Sequence, residues 1–151
     1  MQYDKELAAR VWKRVQGTSA PPPQVQDPAG GLWEMILAEW QDGVLYQQLA
    51  GRFTGQRRQM LLQMAKQDRA HADCLKGVYV LITGKMPQIR QVKPETGPIN
   101  ALLRNCYGRK MQTLARYEAK SDDPQYGQVV RDLAAQERQH CRWLLELLGT
   151  V

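Results

Sequence analysis

Gln67-Asp68-Arg69-Ala70-His71 and Gln136-Glu137-Arg138-Gln139-His140 are two copies of one short pattern. In each copy a glutamine is followed by an acid, an arginine and, three places after the acid, a histidine. The chain contains 2 histidines, and both stand here. With 15 acidic residues among 151, such a pairing at both histidines is a coincidence that chance seldom supplies. Residues three apart share one face of a helix, so each copy can aim a carboxylate and an imidazole at one point. That is the bite a divalent transition metal takes. Either copy alone reads as an ordinary solvated pair; the recurrence favours an inward-facing ligand set.

The flanking sequence is helical. Hydrophobic residues make up 43% of the chain, but Phe occurs once, and β-branched residues are sparse beside Leu, Ala, Gln, Arg and Met, which are good helix formers. Breaks in the pattern predict helices at about 32–51, 56–83, 98–120 and 124–148, with the repeats in the second and fourth. Gly51 and Gly55 bracket the first turn. Gly84, Pro87 and the run Pro94 to Pro98 mark a longer connection, and Ser121-Asp-Asp-Pro124 places a capping residue before a proline suited to a first helical turn. The longer connection has about 14 residues and reaches at most about 50 Å when extended, enough to travel the length of a bundle. Two hairpins joined by a crossover give an all-α four-helix bundle over 32–151.

Ahead of it, Leu7, Ala8, Val11, Trp12 and Val15 recur at helical spacing, predicting an extra N-terminal amphipathic helix over 1–17. Residues 18–31, rich in Pro and Gly, read as a linker. At 151 residues the chain is the size of one ordinary domain and needs no staple. Cys74, Cys106 and Cys141 are odd in number and form no Cys-x-x-Cys pair, which argues against a disulfide framework and for a reducing cytoplasm. Met1-Gln-Tyr-Asp-Lys-Glu6 is charged where a signal peptide is apolar, and the longest apolar run, Val78 to Ile82, is far too short to span a bilayer. A soluble, cytoplasmic protein with no membrane partner is expected. The net charge of +6 permits attraction to nucleic acid, but the basic residues are scattered and have no interleaved aromatics, so nucleic acid is disfavoured as a partner.

Over residues 32–149 the chain resembles the ferritin-like superfamily, and within it the rubrerythrin-type di-iron carboxylate proteins. The resemblance rests on the two acid-x-x-His motifs and on Glu39, which precedes Tyr46 by seven residues. It implies a metal site of one or two iron or manganese ions held by Glu39, Asp68, His71, Glu137 and His140, with Tyr46 and Tyr117 as outer hydrogen-bond donors and an oxidoreductase role on oxygen or peroxide. Glu39 and Asp68 stand symmetrically about the Gly51–Gly55 turn, as partners at one depth of a hairpin should. The same construction puts the partner of Glu137 near residue 108, where there is no carboxylate.

The pattern is broken there. No acid occurs between Glu95 and Glu118, and the position seven residues before Tyr117 is Lys110. Asp68 is a shorter carboxylate than the usual Glu. Cys106, one turn from Lys110, is either a replacement ligand or, more commonly for such a residue, an inert buried thiol. An ammonium beside these groups supplies positive charge where a cation would sit, so Lys110 compensates the carboxylates with a metal or instead of one.

Three readings follow. One is a non-haem iron or manganese oxidoreductase with an incomplete, mononuclear or asymmetric site, which would need an external electron donor since the chain has no Cys-x-x-Cys domain. Another is a degenerate, metal-free bundle neutralised by Lys110 and acting as a structural or interaction module. The last is storage or DNA binding of the kind found in the DNA-protecting members of the superfamily, favoured only by the basic charge. No catalytic residue is assigned. Trp12, Trp33, Trp40 and Trp143 read as packing residues; Trp40, next to Glu39, faces away from the ligand point and leaves a homodimer open.

Overall fold

A computed structural model describes residues 29–151. The expected helix over 1–17 and nearly all of the linker lie outside the described residues. Four helices and no strand are found among the described residues: α1 (Leu32–Ala50), α2 (Gly55–Thr83), α3 (Ile99–Ala119) and α4 (Gly127–Leu148). No helix among them is long and apolar enough to cross a membrane.

Each helix buries one stripe. On α1 the stripe is Leu32, Met35, Ile36, Glu39, Asp42, Gly43, Tyr46 and Leu49, the three-and-four spacing of a single face. Polar Glu39 and Asp42 stand in the middle of that apolar series, so folding carries two carboxylates into the interior. Gly43 faces α2, where a Cβ would stand in ordinary contact with the Ala65 carbonyl oxygen and Arg69 Cγ, both at 3.4 Å. α2 ends at Gly84, whose positive φ of 71° suits glycine and lets its N–H donate to the Val80 carbonyl at 2.8 Å.

The expected start of α4 moves. Pro124 does not open the helix; Asp123 Oδ1 instead accepts from the backbone N–H groups of Gln125 (2.8 Å) and Tyr126 (3.1 Å), closing a turn before the helix begins at Gly127. The aspartate caps, as the sequence suggested, but it caps a turn.

α1 packs with α2 and α3 with α4, while α1 also meets α3 and α2 meets α4. Residues 84–98 run beside α1 from its beginning to its end. Trp33 Nε1 donates to the Gln88 carbonyl (3.2 Å), Gln48 Nε2 to that of Glu95 (2.8 Å) and Arg52 to that of Gly97 (2.8 Å). This return along the bundle makes α3 run parallel to α2 rather than antiparallel to it. Toward one end the core is Tyr46, Leu49, Phe53, Leu61, Met64, Leu102, Leu103, Cys106, Leu144 and Leu147. Toward the other, Leu32, Met35, Ile36, Leu75, Tyr117 and Val130 are buried. Between these apolar layers lies a layer of charge.

Candidate metal centre

Glu39, Asp42, Asp68, His71, Lys110, Glu137 and His140 are all buried, six of them at most 1% exposed and His71 3%. They come from all four helices, and all but Asp42 were singled out from the sequence. Taking four carboxylates and an ammonium out of water is costly unless each is paired, so their contacts decide what the layer can do.

Lys110 is at the centre of one half. Its Nζ lies 2.7 Å from Asp68 Oδ2, 2.7 Å from Glu137 Oε2, 3.2 Å from Asp42 Oδ2 and 3.9 Å from Glu39 Oε1. Lys110, not a residue near 108, is therefore the α3 side chain opposite Glu137; the turn before α4 shifts the register by about two residues. Burial works against its charge, yet Asp68 and Glu39 together hold the ammonium well above the ordinary lysine range. The ring of Tyr46 covers it, with Nζ 5.5 Å from the ring centroid.

His71 is at the centre of the other half. Its Nδ1 lies 2.9 Å from Glu39 Oε2, 3.0 Å from Glu137 Oε1 and 3.6 Å from Asp68 Oδ1. Glu39, Asp68, His71 and Glu137 offer ligand atoms that all lie within 4.8 Å of one another. His140 falls outside this foursome: its Nδ1 is 3.1 Å from Asp68 Oδ1 and 3.8 Å from Glu137 Oε2. The outer nitrogens of both rings meet amides, His71 Nε2 at 2.6 Å from Gln136 Oε1 and His140 Nε2 at 2.6 Å from Gln67 Oε1.

The electrostatics of the carboxylates are split. Burial and then the neighbouring Asp68 push Glu39 well above the usual carboxylate range, with Glu137 adding to the effect. Glu137 is drawn the other way: against the cost of burial, Lys110 and hydrogen bonds from Glu39 and His71 hold it well below that range. Burial lowers His71, but the hydrogen bond to Glu137 and its charge, with the Gln136 contact and Asp68, together more than reverse this and raise it. Glu39 and Glu137 thus differ in their hold on a proton, Glu39 keeping it more tightly and Glu137 less.

The arrangement fits a divalent cation. Neighbouring donors around an octahedral ion at about 2.1 Å stand about 3 Å apart, which matches the spacing around His71 Nδ1. Carboxylate and imidazole together suit iron, manganese or zinc. Asp68 Oδ1 and His140 Nδ1 face each other fully buried, yet neither makes a hydrogen bond among the described residues. Atoms so placed are what a cation would satisfy.

The two tyrosines differ. Tyr117 donates its hydroxyl to Glu39 Oε1 at 2.9 Å. Tyr46, expected to do likewise, has no hydrogen-bond partner for its hydroxyl among the described residues and contributes its ring instead. Cys106 is not drawn to the site. Its thiol is buried, accepts from Arg109 at 3.4 Å and is pushed up to about 12, first by burial and then by Asp42, which makes it an inert thiol. Trp40 carries Lys76 Nζ 4.9 Å from its ring centroid, away from the ligand point. Trp143 stacks on His140, with centroids 6.1 Å apart.

Asp42 was not foreseen, although it stands three residues after Glu39 and so repeats the spacing that singled out the histidines. It ties the site to the surface, because Arg109 reaches Asp42 Oδ1 at 3.4 Å on one side and Glu95 Oε1 at 2.9 Å on the other. Comparison of the chain with protein-family models, with curated proteins and with solved structures gives no match.

Proposed function

We propose that this protein is a ferritin-like, rubrerythrin-like bundle whose core holds one iron or manganese ion, and that it serves oxidoreductase chemistry on oxygen or peroxide. The observation that carries the reading is the convergence of Glu39, Asp68, His71 and Glu137 within 4.8 Å, fully enclosed, from three different helices. The crossover that sets α3 parallel to α2 supports the ferritin-like assignment. Lys110 supplies one positive charge to Asp68 and Glu137, which favours one ion over two. Bound there, the metal would supply the one-electron chemistry that side chains lack. Glu39 and His71 both hold a proton more tightly than usual, so metal binding there would compete with protons and weaken as pH falls. Tyr117 orients Glu39, and the apolar layers on either side exclude water. With no Cys-x-x-Cys in the chain, electrons come from an external donor.

A metal-free module is favoured by one specific observation: Lys110 already makes two 2.7 Å ion pairs, to Asp68 and Glu137. Metal analysis of the full chain, purified without chelators and then loaded with ferrous or manganous ion, separates the two. We expect about one equivalent in the wild type, none in His71→Ala, and a second equivalent in Lys110→Glu. A wild type that refuses metal while Lys110→Glu takes two ions would decide for the metal-free module.

A further inference from the structure

The repeat begins in glutamine, and the acid–histidine pairs give the glutamines no task. The fold crosses them. Gln136, on α4, meets His71 of α2, and Gln67, on α2, meets His140 of α4, each through its side-chain oxygen at 2.6 Å from Nε2. The two imidazoles lie nearly parallel, 19° between planes with centroids 6.1 Å apart. Each repeat therefore holds the histidine of the other.

An amide oxygen can only accept, so the ring nitrogen facing it must carry a proton. A histidine bearing its proton on Nε2 presents Nδ1 to whatever stands on its other side, and here Nδ1 of both rings faces the buried carboxylates. We propose that Gln136 and Gln67 are positioning residues acting crosswise, the first fixing His71 and the second His140, so that Nε2 bears the proton and Nδ1 is left to the interior. The requirement is the same whether a ring is neutral or doubly protonated, because Nε2–H is present in both forms. A glutamine turned end for end would set its NH2 against Nε2 and demand a bare nitrogen there, with opposite consequences. The assignment concerns the rings themselves; only its effect on metal affinity rests on the function proposed above.

The test is nitrogen-15 spectroscopy of the two imidazoles in the metal-free full chain, which has only 2 histidines to assign. Both Nε2 atoms are expected to be protonated, with their hydrogens slow to exchange. Gln136→Leu should speed exchange at His71 and leave His140 alone, Gln67→Leu should do the reverse, and Gln136→Glu, which keeps an acceptor, should restore His71. A bare Nε2 in the wild type, or a glutamine variant that disturbs the histidine of its own helix, would overturn the proposal. Zinc titration gives the second readout, with Gln136→Leu expected to bind about 10–100-fold more weakly than wild type, the usual cost of losing a ligand's outer partner. Equal zinc affinities would overturn the positioning role. A wild type that binds no zinc but keeps the crosswise Nε2–H pattern would remove the metal reading and leave this one supported.

Discussion

Tyr46 and Tyr117 occupy matching places, seven residues after Glu39 and after Lys110, yet the same substitution should affect them differently. Tyr117→Phe removes the donor to buried Glu39 Oε1 and leaves that oxygen short of a partner, at a cost of about 1–3 kcal/mol. Tyr46→Phe deletes a hydroxyl with no partner among the described residues and keeps the ring over Lys110, so stability should stay within about 0.5 kcal/mol or rise. Urea unfolding of the two variants checks both, and equal losses would refute the contrast. The difference was not legible in the sequence, since spacing fixes the face on which a side chain lies but not what its terminal atom meets. Convergence of Glu39, Asp68, His71, Lys110, Glu137 and His140 was legible, because a repeated acid-x-x-His is a strong constraint on two helix faces at once. Asp42 carries the same three-residue signal, but no histidine in the sequence pairs with it. Gln67 and Gln136 were visible as part of the repeat, but their crossed contacts depend on the offset between α2 and α4.

The helices themselves were read nearly to the residue, apart from the start of α4, and a glycine shows why that boundary was hidden. Gly127 opens α4 beside the turn that Asp123 caps; a Cβ there would lie 2.5 Å from the Ser121 carbonyl oxygen, a clash with backbone. The turn and the helix can pack so closely only without a side chain, a condition no propensity scale contains. Gly127→Ala should therefore destabilise by about 1–3 kcal/mol, the range found for overpacking. Gly108, inside α3, has nothing within 4 Å of its built Cβ, so Gly108→Ala should stabilise by about 0.5–1 kcal/mol. Thermal unfolding of the pair is the measurement, and shifts of the same sign would contradict the reading. The crossover was foreseen from length and proline content alone, whereas its pinning by Trp33, Gln48 and Arg52 depends on side-chain reach and could not be.

What the bundle must solve as a unit is charge. Glu39, Asp42, Asp68 and Glu137 are enclosed between two apolar layers with Lys110 as the buried ammonium among them. Lys110→Met keeps the volume and removes the charge, leaving Asp68 and Glu137 without their 2.7 Å partner. Breaking a buried pair in this way costs about 3–5 kcal/mol. The loss need not be permanent, because a divalent ion that binds only the folded state adds about 2.7 kcal/mol when present at about a hundred times its dissociation constant. The variant should thus be weak in chelator and markedly restored by zinc or manganous ion, as followed by urea unfolding with and without metal. The wild type divides the two functional readings: if one ion sits beside Lys110, metal should stabilise it as well, and if Lys110 has taken the cation's place, only the variant should respond. A Lys110→Met protein as stable as the wild type in chelator would mean that the carboxylates share protons among themselves and that the ammonium is not what holds them together.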